Sequence, residues 1–373
     1  MKSNYKRIGD YIRVVDERNT DLRVENLLGL SITKEFVPSV ANTVGTDMSK
    51  YKIVKKNQFV CSTMQVRRDK KMPVALLQHV DEGVISPAYY VFEVIDEDIL
   101  LPEYLMMWFS REEFDREACF YAIGGVRGSL DWEDFCDMKL VIPSIEKQRK
   151  IVKEYNSILS RVCLNNSLVI KIEEIAQILY REWFVEGNFH NAVEGESIDF
   201  ESGVIPDGWK ITTLEEITDI KNGKSSKNKE DKDNKFIYPI VGASGIIGYS
   251  DEYLIDGKTL IIGRVGTLGI VQRFDGKIWP SDNSLYIKTD YYEYVNQLLK
   301  NINYNDITRG STQPLITQSD IKNTKIILPE LCVLKKFEEV ISSIMKLREF
   351  YIAESELLQK FKCVLLSNMI SSV

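Results

Sequence analysis

The sequence predicts an α+β chain of two similar strand-rich units, each followed by a long helix that buries itself against the other. Three observations predict it: a repeat at half the chain length, two extended heptad stripes, and short β-branched runs separated by glycine turns. At 373 residues the chain is too long for one ordinary core, and two units of roughly 150 residues are the natural expectation.

The repeat comes first. RGSLDWEDFCDMKLVIPSIEKQRKIV (127–152) resembles RGSTQPLITQSDIKNTKIILPELCVLKKFEEV (309–340). Asp134 corresponds to Asp320, Lys139 to Lys325 and Pro143 to Pro329, all at an offset of 186 residues. The RGS tripeptides are 182 residues apart, so one short gap separates them from the rest.

After each proline runs a helical pattern. In the first, Ile151, Tyr155, Ile158, Val162, Asn165, Val169, Ile172, Ala176, Leu179 and Trp183 fall at alternating intervals of four and three, with Asn165 the single polar member. In the second, Phe337, Val340, Ile344, Leu347, Tyr351, Leu358, Phe361 and Leu365 form a like stripe, broken at Glu354. A helix of about 40 residues is roughly 60 Å long. The strand-rich parts show in KTLIIGRVGTLGIVQRF with KIWPSDNSLYIK, and in NQFVCSTMQVRRDKKMPVALLQ with EGVISPAYYVFEV. The connector EGNFHNAVEGESIDFESGVIPDGW is rich in Gly, Ser and acid. Units at 1–143 and 209–329, helices at 144–185 and 330–373, and a linker at 186–208 follow.

Composition excludes several classes. With 44% hydrophobic and 28% charged residues, the chain is globular rather than disordered. No apolar run approaches the roughly 20 residues that span a bilayer, and MKSNYKRIGDYIRVV has no apolar core for secretion. No membrane association is expected, and the cytoplasm is the expected compartment. Cys61, Cys119, Cys136, Cys163, Cys332 and Cys363 form no CxxC pair and read as reduced thiols. His79 and His190 stand far apart, so no metal site is expected. The net charge of −7 is the wrong sign for a nucleic-acid binder as a whole, so any such contact must come from local basic patches or from partners.

Catalytic motifs fail in turn. No [DNS]PP[YFW] loop of an adenine methyltransferase is present. GKT at 257–259 lacks the upstream glycine of a phosphate-binding loop, where Glu252 stands instead. A nuclease-like set of Pro206, Asp207, Glu230 and Lys232 lies in a lysine-rich stretch with no apolar strand to hold it.

QILYREWFV (177–185) followed by GVIPDGWK (203–210) resembles the central junction of type I restriction–modification specificity subunits. IPSIEKQRKIV (142–152) resembles the start of the helix that follows each target-recognition domain in that family. YPIVGASGIIGYSDEY with LIIGRVGTLGIV (238–271) is similar to one common class of those domains. The resemblance covers essentially the whole chain. It departs at the second helix start, LPELCVLKKF, where Leu334 replaces the Gln148 of the first.

The resemblance implies two target-recognition domains, each gripping one half of a split double-stranded DNA site. The long helices would then pair as an antiparallel coiled-coil spacer with pseudo-twofold symmetry. Two methyltransferase subunits would dock on the scaffold, and motor-nuclease subunits could join. The chain would carry no catalytic site and no cofactor, S-adenosylmethionine belonging to the methyltransferase. Two other readings are a recognition subunit of a fused nuclease–methyltransferase system and a protein-binding coiled-coil scaffold.

Phosphate contacts require cations and backbone donors; base reading requires Arg, Asn, Gln or acid at groove edges. VRRDKKM gathers Arg67, Arg68, Lys70 and Lys71, with Gln65 the nearest amide suited to adenine. In the second unit KNGKSSKNKEDKDNK supplies Lys221, Lys224 and Lys227, and the Gly-flanked turn GRVG supplies Arg264, matched in the cross-half comparison to the neighbourhood of Arg67. The RGS loops place Arg127 and Arg309 in equivalent positions, with Gln313 nearby. Each of these has a plainer role as a solvated loop or an internal ion-pair partner.

Overall fold

The computed structural model describes residues 5–39, 46–122, 128–186, 206, 208–226, 229–233, 235–265, 268–308 and 315–369. The chain divides into two compact units, Met1–Asn165 with Ala353–Val373, and Asn166–Ile352. Each unit takes one half of each long helix, because a helix half packs against the strands at its own end.

The first unit is built on a four-stranded antiparallel sheet in the order Ile12–Val15, Tyr90–Val94, Phe59–Cys61, Val74–Leu76. One helical turn, α1 (Val66–Asp69), follows the central strand. Helices α2 (Pro102–Phe109), α3 (Glu112–Tyr121) and α4 (Trp132–Asp137) cover the sheet. Proline at the first position of α2 needs no donor there, which suits a helix start. The core is aromatic: Phe59 stacks on Phe92 at 4.9 Å, and Phe109, Phe114 and Phe135 pack around them. The strand Tyr5–Arg7 pairs antiparallel with Lys139–Val141, which leads into the long helix α5 (Ile145–Phe184).

The second unit repeats the plan. Its four-stranded sheet runs Asp219–Asn222, Ser284–Lys288, Thr259–Gly263, Val271–Phe274. The central TLIIG strand is buried along its length, as its run of apolar residues without polar alternation suits. Helices α6 (Tyr292–Asn301), α7 (Tyr304–Ile307) and α8 (Gln318–Lys322) follow. Strand Lys210–Thr213 pairs antiparallel with Lys325–Leu328, which leads into α9 (Leu331–Ser367). In both units, therefore, the first strand pairs with the last one before a long helix, and the four-stranded sheets share one strand order. Asp320, one of the repeated residues, closes a capping box at α8: Thr317 N donates to its carboxylate at 2.9 Å.

The two helices run antiparallel within each unit. In the first, Arg161 meets Glu354 while the earlier Tyr155 shares one apolar cluster with the later Leu365 and Leu366. In the second, Glu173 pairs with Arg348, while the later Phe184 meets Phe337 at 4.8 Å.

The observed buried stripe corrects the strict heptad reading. That reading predicts Leu347 and Phe361 inside, yet they are 47% and 58% exposed. Ile172, Ala176 and Phe337 are buried as predicted, but Ile341 and Met345 follow Phe337 inside, and Tyr180 and Phe184 follow Ala176, all at intervals of four. A stripe at intervals of four turns around the helix and serves a neighbouring domain as well as the opposite helix.

The departure at the second helix start also has a physical reason. Gln148 is fully buried and staples α5 to the start of α2. Its Oε1 accepts from Leu101 N at 2.9 Å, and its Nε2 donates to Ile99 O at 2.8 Å and Pro143 O at 2.9 Å. Leu334 fills the corresponding place with apolar bulk, and Glu338, one turn later, holds the start of α6 instead. Its carboxylate accepts from Glu293 N at 3.1 Å and Tyr294 N at 2.8 Å. Gln148→Ala should leave three backbone groups without this partner, of which the Pro143 carbonyl belongs to a buried residue, and destabilise the fold by about 2 kcal/mol. Urea unfolding of the variant reads that change, and an unaltered midpoint would show the staple to be replaceable.

Candidate nucleic-acid interface

In the first unit the basic cluster sits on a strained, well-anchored turn. Gln65 and Lys70, both non-glycine, take left-handed conformations with φ of 64° and 52° and bracket α1. Val66 is fully buried and anchors the turn from below, while Cys119 Sγ in α3 meets Val66 O at 3.4 Å. Arg67, Arg68, Lys70 and Lys71 are all exposed, and Gln65 is half-buried.

Behind that turn lies the RGS loop. Arg67 N donates to Gly128 O at 3.2 Å, and Leu130 N donates to Thr63 O at 2.9 Å. Gly128 has φ of +57°, and a Cβ there would come within 2.4 Å of Arg67 Cβ. Only glycine fits without displacing the Arg67 side chain at its root. Arg127, the neighbour of Gly128, lies outside the described residues.

A buried ion pair props the far end of the basic turn, at Met72. Lys34 Nζ contacts Asp115 Oδ1 at 2.8 Å, and the same carboxylate oxygen accepts from Met72 N at 3.1 Å. Burial pulls the Lys34 amine down from its usual value, and Asp115 partly offsets that. No local pattern signals this pair, because its members lie 81 residues apart. On the surface, Arg68 pairs with Asp69 at 2.7 Å, which raises the guanidinium and lowers the carboxyl relative to their usual ranges. An incoming phosphate would have to take Arg68 from Asp69.

In the second unit Lys224 and Arg264 gather around one turn, 280–283. Lys224 N donates to Pro280 O at 2.9 Å, and Trp279 Nε1 donates to Lys224 O at 2.7 Å. Arg264 N donates to Asn283 O at 2.9 Å, and its Nη1 reaches Asp282 O at 3.4 Å. Gly223 lets the two segments cross: a Cβ there would stand 2.1 Å from Ser281 O. Lys224 is exposed and Arg264 half-buried. Lys221 is exposed on its strand and bonds Asp219 at 2.6 Å, which raises its amine. Lys227, Arg309 and Gln313 lie outside the described residues.

The two units share one connection. Ile316 N donates to Arg264 O at 2.9 Å, as Leu130 N does to Thr63 O in the first unit. In both, the segment after RGS is tied to the segment that leaves the central strand. By this bond Arg264 corresponds to Thr63, four residues before Arg67. Arg67 and Arg68 therefore stand on a helical turn of the first unit, and the match of Arg264 to their neighbourhood holds only approximately.

Known proteins resemble parts of this sequence and share its fold. Residues 206–348 match the family model described as "Type I restriction modification DNA specificity domain". This stretch, less than half of the chain, is therefore similar to the DNA specificity domain of type I restriction–modification systems.

Among curated relatives, the chain is 30% identical over 149 residues to the specificity subunit of the type I restriction enzyme EcoprrI from Escherichia coli, covering 36% of this chain and 37% of that one. It is 22% identical over 286 residues to the MjaIX specificity subunit from Methanocaldococcus jannaschii, covering 68% and 64%. The chain thus spans less than two thirds of either relative. A crystal structure of a type I restriction–modification system S subunit from M. genitalium matches the fold with a TM-score of 0.59 at 13% identity, over 98% of this chain and 95% of that one. Among the described residues, no group of three or more His, Cys, Asp or Glu side chains could hold a metal ion, and no helix is long and apolar enough to cross a membrane.

Proposed function

We propose that this chain is the non-catalytic, sequence-reading subunit of a cytoplasmic type I restriction–modification complex, and that it recognises a bipartite double-stranded DNA target. The observation that carries this reading is the doubled plan. Each unit repeats one strand order and ties the segment after its RGS loop to the segment leaving its central strand. Two similar readers suit two short half-sites on one face of a duplex, roughly 34 Å apart per turn.

In the first unit, Arg67, Arg68, Lys70 and Lys71 contact phosphates, and Gln65 or Arg127 reaches base edges. In the second, Lys221, Lys224, Lys227, Arg264 and Arg309 position the backbone, and Gln313 reads a base. The helices serve as spacer and as the seat for two methyltransferase subunits that bring S-adenosylmethionine, with motor-nuclease subunits joining where present. Exposed apolar side chains support such a seat: Leu357 and Phe361 in the first unit, Ile170, Ile175, Ile178 and Phe350 in the second. A scaffold that binds protein alone has the net charge of −7 in its favour.

The two readings part in a binding assay. A methyltransferase partner reconstituted with this chain should bind DNA in a salt-dependent way and prefer its own target over random duplex. Equal binding with and without the chain would favour the protein-only scaffold.

A further inference from the structure

Each heptad stripe carries one polar break, Asn165 in α5 and Glu354 in α9, and in the first unit the two breaks meet. Asn165 is fully buried, and its Nδ2 donates to Glu354 Oε2 at 2.8 Å. Arg161, one turn earlier in α5, donates to the same carboxylate from Nε and Nη2, the shortest of these bonds being 2.9 Å. These donors hold the Glu354 carboxyl below the usual range, so it stays ionised at neutral pH. Asn165 Oδ1 is buried with no hydrogen-bond partner among the described residues. The amide is thus committed to the bond across the helices.

Of the three only Asn165 is fully buried; the Arg161 and Glu354 side chains are 42% and 27% exposed, so their ion pair adds little stability that apolar packing could not replace. What the polar cluster adds is discrimination. Seven residues are close to two helical turns, so a slide of that length presents nearly the same face of a helix. Seven residues either way from Glu354 stand Leu347 and Phe361, both apolar and, in the observed register, largely exposed. A slide would leave Arg161 and Asn165 facing one of those and strand Glu354. A single polar residue in a heptad core is known to specify register in this way.

We propose that Arg161, Asn165 and Glu354 form a register lock that decides which turn of α5 faces which turn of α9. On the function proposed above, the lock would thereby fix the unread gap between half-sites.

Spin-label distances test this without DNA. Labels at Ser157→Cys and Lys360→Cys, both exposed positions of the first unit, are placed on the full chain with Cys163, Cys332 and Cys363 changed to Ser. The parent should show one narrow distance, and so should Glu354→Gln, which still bonds Asn165. Combining Arg161→Leu, Asn165→Leu and Glu354→Leu should keep the melting temperature or raise it, yet broaden the distribution or add a second population. A single unchanged distance in that folded variant overturns the lock. Should it not fold, Glu354→Leu with Phe361→Glu moves the acid by one heptad, about 10 Å along the helix. The native distance should then lose population, and its full persistence would again overturn the proposal. Registers that shift while the methylated gap in host DNA stays the same would leave the lock standing and contradict the spacer role.

Discussion

Arg67→Ala combined with Arg68→Ala should weaken DNA binding by the reconstituted complex about 30-fold near physiological salt, as expected for the removal of two charge-assisted hydrogen bonds of about 1 kcal/mol each. Both side chains are exposed on a turn held by Val66 below and Gly128 behind, so their removal should leave the fold unchanged. The salt titration is the sharper reading. Removing a phosphate-binding cation lowers the slope of log affinity against log salt by about one, so the pair should lower it by about two. Arg68 is the weaker partner, because it must leave Asp69 first. Affinity and slope that match the parent at every salt concentration would remove this turn from the interface.

A four-residue insertion placed in both long helices, between Asn165 and Asn166 and between Ile352 and Ala353, should lengthen the recognised gap without altering either half-site. Four residues add about 6 Å and slightly more than one helical turn, so the buried faces remain nearly in phase. With base pairs spaced about 3.4 Å apart, the gap should grow by about two. Methylation at the original sites should vanish and reappear at sites with the longer gap. A methylation map identical to the parent's would defeat the spacer role.

Much of the fold is legible in the sequence, because repetition and periodicity are collective signals. The constant offset of 186 residues, from Asp134 and Asp320 to Pro143 and Pro329, foretells two similar units, and the structure has two whose sheets share one strand order. The helices are visible because each pattern persists for about 40 residues, and α5 and α9 contain 40 and 37. Which residues of the second stripe are buried is not legible. Helix α9 serves both a partner helix and a strand-rich unit, so Ile341 and Met345 turn inward where the heptad pattern predicts Leu347.

At the candidate interface, the sequence points to Arg67, Arg68 and the RGS loop separately. That Gly128 lies against Arg67 is a tertiary fact between residues 61 positions apart, with no local signature. The Lys34–Asp115 pair is invisible for the same reason. Asn165 and Glu354 are each conspicuous as breaks in a pattern, but their bond follows only from the antiparallel pairing of α5 with α9.

Mapping methylated adenines across the genome of a host that carries this chain and its methyltransferase partner tests the central claim most directly. Two short motifs separated by a fixed unread gap should emerge, and exchanging residues 209–329 for the same unit of a relative should change one motif and spare the other. A single continuous motif, or a map indifferent to that exchange, would contradict it.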